Sequence, residues 1–160
     1  MSIQEAVIAE PATADPKAEV FSLDGTPVLS AGRYDKVLTT TDFLTVRAKV
    51  YAEGGENATH THRNEDHIFF VLAGQATFHL GRDGAETSVV NAYEGIMLPK
   101  GAFYRFESSG NENLVLFRVG AQYNDDRDRI GPDGKPLPGH SAANNHVEGV
   151  PVEGMFFTGR

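Results

Sequence analysis

The segment HTHRNEDHIFFVLAG, His60 to Gly74, sets three histidines against a run with the texture of a buried strand. Neutral imidazole is the commonest protein ligand for transition metals. His60 and His62 are two apart, so in an extended chain both rings leave the same face. A short turn, Arg63 to Asp66, and a strand beginning at His67 would fold the third ring back beside that pair. Three neutral nitrogens on one side of a divalent cation leave its other positions open to water or substrate. The expected metal ligands are therefore His60, His62 and His67. His67 shares its parity with Phe69 and Val71, whereas a turn one residue shorter would make Asp66 the ligand instead. The chain has no cysteine, which excludes both a thiolate site and a disulfide scaffold.

The elements that must position these groups are read from alternation. From Phe21 onward, short β-branched and aromatic runs are separated by turn signals such as Asp83-Gly84 and Ser109-Gly110, the pattern of an all-β sandwich or barrel. Strands are predicted over Phe43–Tyr51, Thr59–Arg63, His67–Leu72, Gln75–Leu80, Glu86–Asn91, Gly95–Pro99, Phe103–Glu107 and Leu114–Val119. No stretch carries a helical period. Residues 1–19 read as a flexible arm, 20–123 as the barrel, and the Gly- and Pro-rich residues 124–160 as a tail packing on the barrel or on a second subunit. Within that tail, Asn124 to Arg129 reads as a solvated charged turn, and His140 and His146 as loop histidines that a tail folded over the barrel mouth could bring inward. His79 is expected on a wet face.

Two segments carry a resemblance. Gly54 to Gly74, with its His-x-His and following glycine, resembles the first motif of the cupin superfamily; His67 stands where that family usually has a glutamate. Tyr93 to Ser108, YEGIMLPKGAFYRFES, resembles the second motif and matches it at Pro99 and Gly101. Tyr93 replaces the motif's first glycine, Tyr104 its histidine and Ser108 its asparagine. The resemblance implies a double-stranded β-helix, or jelly-roll, barrel, often dimeric, with a metal in its mouth. Tyr104 then stands either as a phenolate ligand or as a hydrogen-bonding acid and base beside the metal. The latter is preferred, because a phenol with a pKa of roughly 10 ionises only if a cation lowers it.

With 160 residues and a net charge of −8, the chain is one domain without the basic patch of a nucleic-acid partner, and an anionic membrane surface is excluded on the same ground. No signal peptide or membrane-length apolar run is visible, so a cytoplasmic protein is the expectation, and the resemblance implies a homodimer. Phe69, Phe78 and Phe106 are expected to line a substrate pocket, and Arg118, if its parity is inward, to clamp a substrate carboxylate. The chemistry expected is that of a small-molecule enzyme using Fe(II), with Zn, Mn or Ni as alternatives. A non-haem dioxygenase is preferred, given the likeness of an all-nitrogen site to the three-His centres of cupin thiol and diketone dioxygenases. An isomerase or lyase using Tyr104 for proton transfer, and a barrel that binds a ligand without turnover, stand as alternatives.

Overall fold

The computed structural model describes residues 17–53, 56–126 and 128–158; most of the proposed N-terminal arm lies outside them. Ten strands follow one another: β1 Pro27–Ala31, β2 Arg33–Thr40, β3 Leu44–Tyr51, β4 Glu65–Ala73, β5 Gln75–Leu80, β6 Glu86–Asn91, β7 Gly95–Leu98, β8 Tyr104–Ser108, β9 Leu114–Gln122 and β10 Val150–Phe156. A single 3₁₀ turn, Ala142–Asn144, interrupts the tail. The strands form a five-stranded sheet ordered β2-β3-β9-β4-β7, a three-stranded sheet ordered β6-β5-β8, and a β1-β10 ribbon. This is the all-β jelly-roll barrel the alternation and the motif spacing called for. Among the described residues, no helix is long and apolar enough to cross a membrane.

Alternation explains where the core sits. Phe69, Val71, Leu98, Leu114 and Leu116 of the larger sheet meet Ala76, Phe78, Val90 and Phe106 of the smaller one in one buried cluster. Full burial of such side chains contributes on the order of 1.5–3 kcal/mol each before chain entropy is set against it. The chain passes from β4 to β5 through the single residue Gly74. Its φ of +77° suits glycine, and a Cβ there would meet the Asn113 carbonyl oxygen at 2.6 Å.

Strand β3 carries its polar face inward. Thr45, Arg47, Lys49 and Tyr51 border an internal cavity, while Val50 on the other face packs with Leu29, Ala52 and Val115. The tail supplies part of that outer layer, since β10 pairs with β1 and Phe157 packs on the same apolar group. Buried Asn144 ties the tail further, accepting from the Ala58 N–H at 3.1 Å and donating to the Gly139 carbonyl at 2.7 Å.

One predicted strand is not a strand. Thr59–Arg63 holds only isolated bridges, His60 to Tyr104 and Thr61 to Ile130. The physical reason is that adjacent residues pair with different partners. His60 exchanges both backbone bonds with Tyr104, and Thr61 exchanges both with Ile130 of the tail, so no ladder propagates.

Candidate metal centre

Strand β4 begins at Glu65, and the period of two that buries Phe69 and Val71 also turns Glu65 and His67 inward. His62 arrives from the preceding segment, its carbonyl accepting from the Gly101 N–H at 2.7 Å. Nε2 of His67 lies 3.0 Å from Oε2 of Glu65, and Nδ1 of His62 lies 3.8 Å from the same oxygen. One ligand atom from each of the three lies within 4.8 Å of the others. Nδ1 of His62 is buried with no hydrogen-bond partner, an arrangement that costs free energy unless something fills it.

Burial first, then neighbouring positive charge, pulls His62 down to about 2 and His67 to about 4, with Glu65 partly opposing the shift at His67. For Glu65 burial pushes upward, but the bond to His67 and the charge of Arg118 outweigh it and hold the carboxyl at about 2. At neutral pH the centre is thus two uncharged rings and one carboxylate, all offering lone pairs to a common space. Metal–ligand bonds of roughly 2.0–2.2 Å put neighbouring donors about 3.0–3.4 Å apart. The 3.0 Å pair matches that spacing and the 3.8 Å pair exceeds it, so the three residues could hold a divalent ion after a small inward shift of His62, in the two-His-one-carboxylate pattern that leaves one face open.

The surroundings hold the set in place. Nη2 of Arg118 donates to Oε1 of Glu65 at 2.8 Å and also contacts Nε2 of His67. Nδ1 of His67 shares a hydrogen bond with Oη of Tyr104 at 3.0 Å; the guanidinium at Nε2 favours the tautomer protonated on Nδ1, and Oε2 of Glu65 at 3.0 Å the one protonated on Nε2. Burial pushes the Tyr104 phenol well above its ordinary value, which favours the protonated hydroxyl. Gly120, which pairs with His67 across the sheet, makes room for the carboxylate: a Cβ there would collide with Oε1 of Glu65.

The expected ligand set is thus rearranged. His60 is fully buried, but Nδ1 donates to the Ala58 carbonyl at 2.7 Å and Nε2 accepts from Nη2 of Arg129 at 2.9 Å, so its free lone pair is directed at a guanidinium. Glu65, and not His60, joins His62 and His67 in the group whose ligand atoms converge. Asp66 points away, accepting from the Lys100 N–H and the Tyr123 hydroxyl, both at 2.7 Å. Parity could have found Glu65, two residues before His67, had the strand been started earlier.

The cavity beside the cluster encloses about 450 Å³. Phe69, Phe106, Tyr51, Tyr104 and Arg118 border it; Phe78 does not, being packed behind Phe69 and Phe106 at ring distances of 5.7 and 5.1 Å. The tail brings His140 and His146 into the lining, their rings 4.7 Å apart. His79 sits away from the cavity and pairs with Glu107 at 3.2 Å. The run Asn124 to Arg129 is not wholly a solvated turn: Asp128 pairs with Arg63, but Arg129 turns into the cavity. No local pattern marks Arg129, because its place is set by where the tail docks.

Residues 47–120 match the Cupin domain family. This chain carries a cupin domain. Among solved structures, a protein with a double-stranded β-helix domain from Klebsiella pneumoniae is similar with a TM-score of 0.60 and 20% identity, covering 71% of this chain and 96% of that one. KdgF from a Halomonas species gives 0.58 and 16%, covering 69% and 98%. The cupin domain of Cnp3 from Schizosaccharomyces pombe gives 0.53 and 17%, covering 59% and 67%. At these identities the likeness is one of fold. No curated protein matches the sequence. The cupin span contains His62, Glu65, His67, Tyr104 and Arg118, while Arg129 and the tail lie beyond it. Tyr93, in the motif position usually held by glycine, keeps a glycine-like φ of +69°.

Proposed function

We propose that this cupin is a metal-dependent enzyme acting on a small molecule, a non-haem dioxygenase-type oxidoreductase with His62, Glu65 and His67 as its metal ligands. The observation that carries this reading is the convergence of two imidazole nitrogens and a carboxylate oxygen on the wall of a cavity large enough for a small substrate. A bound Fe(II), held by His62, Glu65 and His67, would supply redox chemistry toward O₂. The chain's own groups do the rest. Arg118 fixes one oxygen of Glu65, Tyr104 orients the ring of His67 through Nδ1, and the rings of Phe69 and Phe106 give the cavity an apolar wall.

The isomerase or lyase reading is favoured by one feature, the protonated Tyr104 hydroxyl on a wall it shares with the cluster. Both readings are tested together. Protein loaded with Fe(II) is offered diketones, thiols and catechol-like compounds in a closed oxygen electrode, and the same compounds are followed without oxygen in protein loaded with Zn(II) or Mn(II). Oxygen uptake that disappears in His62→Ala supports the oxygenase. Turnover only without oxygen supports the isomerase or lyase. Metal uptake with no turnover in either arm leaves a ligand-binding barrel.

A further inference from the structure

The cavity is cationic in an acidic chain. Five basic residues border it, Arg33, Arg47, Lys49, Arg118 and Arg129, against the carboxylates of Asp35, Glu65 and Glu148. The pairing is uneven. Asp35 takes both Arg47 and Lys49, at 2.8 and 2.6 Å, and Glu65 takes Arg118. Glu148 pairs with His146 and is mostly exposed. Arg33 and Arg129 have no carboxylate partner among the described residues. Yet the chain carries 22 acidic side chains to 14 basic ones, and Arg33 is buried.

The two guanidiniums flank one backbone site. Nη2 of Arg33 donates to the Gly139 carbonyl at 2.5 Å, and a Cβ at Gly139 would meet Nη1 of Arg129 at 3.0 Å. Arg33 spends its Nε on Nδ1 of His146 at 2.9 Å. Arg129 spends Nη2 on His60, and its Nε is buried without a partner. Uncompensated buried charge is costly, and a planar fork of N–H donors matches an oxyanion. Neither arginine falls within residues 47–120: Arg33 opens β2 of the larger sheet, and Arg129 lies in the tail.

We propose that Arg33 and Arg129 form an oxyanion clamp under the tail, and that the ligand is a small molecule bearing a carboxylate or phosphate. This rests on the reading of the cavity as the substrate site, but not on the metal. The clamp holds the anionic group at the mouth while the remainder of the ligand extends toward His62, Glu65 and His67.

The test is calorimetric titration of the metal-free full chain with malonate and with inorganic phosphate at low salt, using uncharged malonamide as the control. Malonate or phosphate is expected to bind, the tighter of the two naming the headgroup, and malonamide is expected not to. Arg129→Gln should weaken anion binding at least tenfold, and Arg129→Lys, which keeps the charge, should recover part of it. Zinc uptake by Arg129→Gln should equal that of the wild type. Failure of both anions to bind, equal binding of malonamide, undiminished binding in Arg129→Gln, or no recovery in Arg129→Lys would each overturn the clamp. If the wild type takes up no zinc yet binds anions through Arg129, the metal reading falls and the clamp stands.

Discussion

Gly120→Ala perturbs the carboxylate without replacing a proposed ligand. The φ of Gly120 lies outside the left-handed region, so alanine suits the backbone, but its Cβ would collide with Oε1 of Glu65 and come within 3.1 Å of Nη2 of Arg118. The carboxylate must swing away and lose its bond to Arg118, a charge-assisted contact between largely buried groups worth about 1.5–3 kcal/mol. Replacing glycine returns about 0.4–1 kcal/mol by restricting the unfolded chain. The net loss of roughly 1–2 kcal/mol corresponds to a fall in Tm of about 2–8 °C for a chain of this size. Metal affinity should fall about 10–100-fold, as for other losses of ligand support. Scanning calorimetry of the metal-free protein and a chelator competition for zinc measure the two effects. A cycle with Glu65→Ala decides the cause: in that background Gly120→Ala should cost nothing further in metal affinity. Equal losses in both backgrounds, or wild-type zinc affinity in Gly120→Ala alone, would refute the assignment of Glu65.

Elemental analysis of purified protein should find metal lost in His62→Ala and His67→Ala but retained in His60→Ala, because His60 lies outside the group whose ligand atoms converge. Tyr104→Phe should keep its metal and lose about 1 kcal/mol of stability, read from urea midpoints, as Nδ1 of His67 loses its partner. Asp35 is held well below its ordinary value of 3.8: burial pushes it up, but Lys49 and Arg47 win. A carboxyl depressed in the folded state stabilises above its unfolded value and loses that contribution as pH falls through its folded one. Stability should therefore fall more steeply below about pH 4 in the wild type than in Asp35→Asn, as acid titrations in urea would show.

The parts legible in the sequence are those set by local alternation. The inward facing of His67, Phe69 and Val71 follows from their spacing, and the same rule oriented Asp66 outward. Where alternation misled, a distant partner had intervened. Thr59–Arg63 reads as a strand but is divided between Tyr104 and Ile130. His60 and His62 therefore do not act as one pair: the first meets Arg129, the second the metal cluster. Arg118 sits in a strand apolar on both faces, so only the register against β4, which sets Arg118 opposite Phe69, fixed its direction. Arg129 carries no local signal at all.

The arginine in the centre and the reading of a metal there are compatible because Glu65 has two oxygens. Oε1 faces Arg118, while Oε2 faces both histidines. The guanidinium thus uses one oxygen and leaves the other for a cation shared with His62 and His67. Nη2 of Arg118 also reaches Nε2 of His67, the nitrogen a metal would take. Those two bonds have different fates on metal binding, since the contact to Glu65 can persist and the contact to His67 cannot. Arg118 supplies the positive charge that a buried carboxylate between two neutral imidazoles requires.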